Sequence, residues 1–201
     1  IEGSKIAPYI TRVYASSYLY SADGIAEWPA QVVNYTTKTQ FIFRIAKGLL
    51  DEFDERVNDS MPHSNRNVAY NNFVYIGDSA TDIPSMTLIK QKGGFSIGVF
   101  DPILQNKKKV YQLFNDGRLD FYAPANYTKD GPIFSHMKHI IDQIAARERQ
   151  KEEKRVLQSA ADRYNKKVAV QKALCAISEN LSESERRAVE EAIANMDASK
   201  L

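Results

Sequence analysis

Cysteine is nearly absent from these 201 residues: Cys175 is the single one. One cysteine cannot form an internal disulfide, so the chain is expected in a reducing compartment, the cytoplasm. No apolar run approaches the roughly 20 residues of a membrane-spanning helix, which excludes a helical anchor within these residues. A charge excess of one sign is also missing. With 27 basic and 25 acidic side chains the formal net charge is +2, too even to draw nucleic acid or an anionic membrane by bulk attraction. Glycine and proline do not occur after residue 145, and Tyr164 is the sole aromatic there.

These absences divide the chain. A core is expected over 1–145 and a helical tail over 146–201. The chain is 43% apolar and 26% charged, enough for one buried core with an appendage. Its first residue is Ile1, within IEGSKIAPYI, and the chain is expected to be a fragment or a processed product of something longer. The tail is rich in Ala, Glu, Lys, Arg and Leu, all good helix formers. Leu157, Ala160, Ala161, Tyr164 and Val168 recur at helical spacing, followed out of phase by Val170, Leu174, Ile177 and Leu181. Ser182 and Glu185 have capping-box spacing and predict a last helix reaching Met196. If the core leaves this stripe uncovered, self-association through the tail is expected.

Within the core, 12–20 and 30–35 read as short strands around a turn at Asp23-Gly24. Thr36 or Thr37 is a candidate cap for a helix whose stripe is Phe41, Ile45, Leu49, Leu50, Phe53 and Val57. A polar loop over 59–72 precedes the apolar run 73–76, of the kind buried on both faces of a parallel sheet. Helix 82–90, strand 95–100, helix 103–115, strand 119–123 and helix 133–145 follow. This alternation predicts an α/β fold, a doubly wound, Rossmann-like parallel sheet covered by helices on both faces.

The stretch FVYIGDSATD sets two carboxylates at the end of a predicted strand. Ligands of parallel sheets bind at that carboxyl edge. Gly77 lets the backbone turn, and Asp78 and Asp82 could share a divalent cation that keeps waters and a substrate phosphate. The plainer reading is that Asp82 caps the helix and Asp78 makes a turn. Lys38 stands at the opening of a helix, where its charge opposes the dipole unless an anion is near. If the strand ending near Tyr35 lies beside 73–76, Lys38 and Asp78 project over one sheet edge and make a phosphate site.

GDSATD at 77–82 resembles the fourth motif of the haloacid dehalogenase superfamily, and Lys38 in NYTTKTQF resembles the lysine of its third. GVFDP at 98–102 strengthens the likeness, and residues 1 to about 145 are similar to the second half of a phosphoserine-phosphatase-like member. The resemblance implies a partial core of that superfamily. It also implies a magnesium-dependent phosphatase that acts on a small phosphorylated substrate through an aspartyl phosphate. Asp78 is then a magnesium ligand, Asp82 helps hold the metal or its waters, and Lys38 steadies the nucleophile and the phosphoryl group.

Two parts of the pattern are missing. The first motif, Asp-x-Asp with the nucleophile, has no match here, since no two aspartates stand two apart. The second, a phosphate-gripping Ser or Thr, belongs just before IEGSKIA. The expectation is therefore a portion that lacks the nucleophile and is inactive alone. The alternative is a degenerate phosphatase or a non-catalytic α/β interaction module whose tail binds a partner. Elsewhere, His136 and His139 have metal-binding spacing without a third ligand, and helix packing is the better expectation. Trp28 is expected to pack, and Lys107, Lys108 and Lys109 to form a solvated helix face.

Overall fold

The computed structural model describes residues 1, 3–104, 107–178 and 182–198. They fall into two compact units, Ile1–Ile144 and Ala145–Leu201. The first unit begins with a hairpin, β1 (Ser17–Tyr20) paired antiparallel with β2 (Ala26–Gln31). Its turn is closed by the Gly24 amide on the Ser21 carbonyl, and Gly24 takes φ +76°. β1 is shorter than predicted, and β2, of the length expected, lies four residues earlier. They form a sheet of their own, so no strand ending near Tyr35 stands beside residues 73–76. The reason is local: Asn34 caps a helix directly, and a five-residue loop favours pairing β2 with its sequence neighbour.

That helix is α1 (Tyr35–Lys47). Asn34, not Thr36 or Thr37, is the cap. Its Oδ1 accepts from the amides of Thr36 and Thr37, and Thr37 Oγ1 accepts from the Asn34 amide at 2.7 Å. Gly48 ends the helix at φ +73°, a left-handed position that costs glycine least. Leu49, Leu50, Phe53 and Val57 therefore do not continue the predicted stripe, and Phe53 is 90% exposed. Arg44 and Lys47 instead hold the loop that follows, donating to the carbonyls of Asp51, Glu52, Asp54, Val57 and Asp59.

A three-stranded parallel sheet follows, in the order β3 (Val74–Gly77), β4 (Phe95–Phe100), β5 (Phe121–Pro124). Between the strands run α2 (Ile83–Gln91) and α3 (Lys108–Asn115), and after β5 comes α4 (Pro132–Ser178). Alternate residues of the strands face opposite layers. On one face Phe100 packs with Met86, Val110, Leu113 and Leu119 from the α2 and α3 side. On the other, Ile97, Val99 and Ala123 pack with Ile133 and Ile140 in the first turns of α4. The architecture is α/β with helices on both faces of the sheet. α1 packs on α2 through Ile42, Ala46, Tyr70 and Ile89.

α3 starts five residues later than expected. The Asp101 Oδ1 accepts from the amides of Ile103 and Leu104, at 2.6 and 3.1 Å, and holds them in a turn. α4 has 47 residues in all, those from Ala145 onward belonging to the second unit, and α5 (Glu183–Ala198) opens with Glu185 accepting from the Ser182 amide at 2.9 Å. Leu157, Tyr164, Val170 and Ile177 are exposed; Leu181 lies outside the described residues. Among the described residues no helix is long and apolar enough to cross a membrane.

Candidate functional site

The β3–α2 junction gathers the residues singled out by sequence. β3 ends at Gly77, a short 3-10 turn (Ala80–Asp82) follows, and α2 begins with Pro84 in its first turn. Asp82 is 5% exposed, and four hydrogen bonds reach its carboxylate. Oδ1 accepts from Lys38 Nζ at 2.9 Å and from the Tyr75 hydroxyl at 2.8 Å. Oδ2 accepts from the Ser79 amide at 3.0 Å and from Ser79 Oγ at 2.8 Å. Lys38 Nζ also donates to Thr81 Oγ1 at 2.9 Å. An ammonium has three N–H bonds, and two of them are thus committed.

Lys38 reaches this junction by a different route from the one expected. No strand pairing carries it there; the packing of α1 against α2 does. The cost of a cation in the first turn of a helix is offset by the nearly buried carboxylate opposite. Burial pushes the Asp82 carboxyl up, but the hydrogen bonds from Lys38, Tyr75 and Ser79 outweigh it and hold the group at about 2. Burial, then the bond to Asp82 and its charge, push the Tyr75 hydroxyl well above its ordinary range.

Asp78 faces the other way. It is exposed, its carboxylate takes part in none of the hydrogen bonds or ion pairs among the described residues, and it lines a cleft of about 490 Å³. That cleft lies at the carboxyl ends of all three parallel strands, with Phe100 ending β4, Asp101 and Ile103 just after it, and Tyr127 beyond β5. The GDSATD carboxylates thus divide their work: Asp82 anchors the lysine, and Asp78 alone is open to the cleft.

As a magnesium site the chain's own residues are incomplete. Among the described residues no group of three or more His, Cys, Asp or Glu side chains is placed to hold a metal ion. Asp82 has its oxygens filled by donors, one of them a cation, which leaves Asp78 as one fitting ligand. Magnesium is often bound by one or two carboxylates, with waters and phosphate oxygens completing its shell.

Tyr75, Ser79, Thr81 and Asp101 were not singled out by sequence. Only the capping-box spacing of Ser79 with Asp82 carried a signal. Of the other candidates, His136 is half-buried and stacks on Phe121 with centroids 4.7 Å apart, while His139 is exposed. Trp28, expected to pack, is 68% exposed on the hairpin. Lys107 departs from the solvated face predicted for it, its Nζ lying 5.4 Å from the centroid of the Phe100 ring.

No family model and no solved structure matches the chain. Over a match that covers 67% of its length, it is 32% identical to an uncharacterized protein of Borreliella burgdorferi. The matched region covers 51% of that protein, so the chain spans about half the length of this relative.

Proposed function

We propose that this chain is the carboxyl-terminal portion of a magnesium-dependent phosphomonoester hydrolase of the haloacid dehalogenase type, with a partial Rossmann-like core. One observation carries the reading: Lys38 and GDSATD, some forty residues apart, meet at one strand end, with Nζ 2.9 Å from both Asp82 and Thr81. The third N–H of Lys38 is left for a phosphoryl oxygen, and Asp78 faces the cleft as a ligand for the ion. Bound magnesium would neutralise phosphate charge as it builds. The nucleophile is absent here, and β3 has a place for the strand that bears it. Among the described residues β3 pairs on one side only, and its apolar residues are half-buried or exposed.

The complete reading frame, expressed and given an aryl phosphate, should release phosphate only with magnesium present, and Asp78→Ala should abolish turnover. The 201-residue chain alone should be inert. Hydrolysis by this chain alone, or magnesium-independent hydrolysis by the complete protein, would overturn the assignment.

A second reading concerns the tail. Leu157 and Tyr164 are 71% and 67% exposed on one helix stripe, favouring self-association through α4. Sedimentation should show dimers at micromolar concentration, and Leu157→Glu should return them to monomers.

A further inference from the structure

The bonds around Asp82 continue into the interior. Tyr75 lies on the α2 face of β3, half-buried, and packs beside the cluster of Met86 and Phe100. Its hydroxyl donates to Asp82 Oδ1, the oxygen that also takes Lys38, and the Ser85 side chain acts on the phenol in the opposite sense, favouring its ionised form. Ser85 is fully buried, and its Oγ stands 3.4 Å from Thr39 Oγ1, on the residue that follows Lys38 in α1. One phenol therefore ties the carboxylate to the core, while the Ser85–Thr39 pair joins α2 to the helix that carries the lysine.

We propose that Tyr75 is a positioning residue for Lys38. The two bonds from Ser79 hold Oδ2 and those from Tyr75 and Lys38 hold Oδ1, so the plane of the carboxylate is set from both ends. Tyr75 is rigid, with two side-chain torsions, and enters from the core. Lys38 has four and enters from the solvent side. The hydroxyl, together with the Ser79 bonds on the far oxygen, therefore sets the direction of Oδ1, and Oδ1 with Thr81 sets where the remaining N–H of Lys38 points. This inference rests on the proposed use of Lys38 toward a phosphoryl group, but the positioning itself can be read without any reaction.

The test is competitive acylation of lysines in the 201-residue chain, read by mass spectrometry relative to the exposed Lys129. Tyr75→Phe should raise the relative rate at Lys38 at least threefold. Ser85→Ala removes a buried polar neighbour of the phenol, disturbs the same core, and should leave that rate unchanged. An unchanged rate in Tyr75→Phe, or an equal rise in Ser85→Ala, would overturn the proposal. A check that needs no variant uses proton NMR of the unmodified chain. The Tyr75 hydroxyl proton should be protected from exchange and show a cross-peak to the Lys38 ammonium, and the lack of both would sink the idea. An inactive complete protein with these signals intact would remove the phosphatase reading and leave the positioning standing.

Discussion

Replacing Asp82 with alanine is expected to destabilise the first unit by about 3–5 kcal/mol, the range for stripping one partner from a buried ion pair. The change takes the acceptor from a phenol and from the amide and hydroxyl of Ser79, and leaves the cation with Thr81 Oγ1 alone. Lys38 can withdraw partly toward water, being 27% exposed in its side chain, whereas the Tyr75 hydroxyl and the Ser79 amide are less free to do so. The effect has a pH signature. The folded carboxyl is held at about 2, below its ordinary 3.8. The stabilisation it brings is present above pH 4 and is lost as pH falls through 2. The linked share is about 2 kcal/mol. Urea unfolding at pH 7 and at pH 2.5 should therefore show the gap between the native chain and Asp82→Ala narrowing in acid. A gap under 1 kcal/mol at neutral pH would show that the network is not holding the junction.

Gly77→Ala should be nearly as damaging, and for a reason of space. The backbone at Gly77 does not need glycine's conformational freedom, but an added Cβ would stand 2.7 Å from both Asp82 Cγ and Met86 Cε. The methionine tip can bend, at some cost to a side chain 2% exposed in the core. The carboxylate cannot move without breaking bonds that hold Lys38. Overpacking of this kind costs about 1–3 kcal/mol, and the upper part is expected here. The diagnostic result is a loss of stability together with faster acylation of Lys38. A folded variant with native stability and native Lys38 reactivity would show that the junction is looser than its geometry.

Some of this was legible in residues alone. The run 95–100 is apolar, bounded by Gly93-Gly94 and Asp101-Pro102, and β4 occupies that span. The alternation of apolar runs with helix-forming segments made the parallel sheet readable, because both signals are local. The separate hairpin was not. Whether a strand joins a distant sheet or its neighbour depends on long-range packing that composition does not carry. Similar reasoning applies to Gly48, whose role as a helix terminator depends on a backbone angle. The coming together of Lys38 and GDSATD was expected from charge and motif, yet the agency proved to be the apolar face of α1, in Ile42 and Ala46. The distinct duties of Asp78 and Asp82 were hidden because Tyr75 and Ser79 are ordinary strand and turn residues until their neighbours are known.

The bare flank of β3 has a practical consequence for anyone handling this polypeptide. Proteins usually guard such a border with lysine, proline or a bulge. Val74, Tyr75, Ile76 and Gly77 have none of these, whereas β5 at the far border ends in Pro124, which has no amide to offer. Among the described residues no strand pairs with that border, and an open strand border is a template for an extended peptide. A charge on that short strand, such as Ile76→Lys, is the simplest guard against edge-to-edge pairing in concentrated solution.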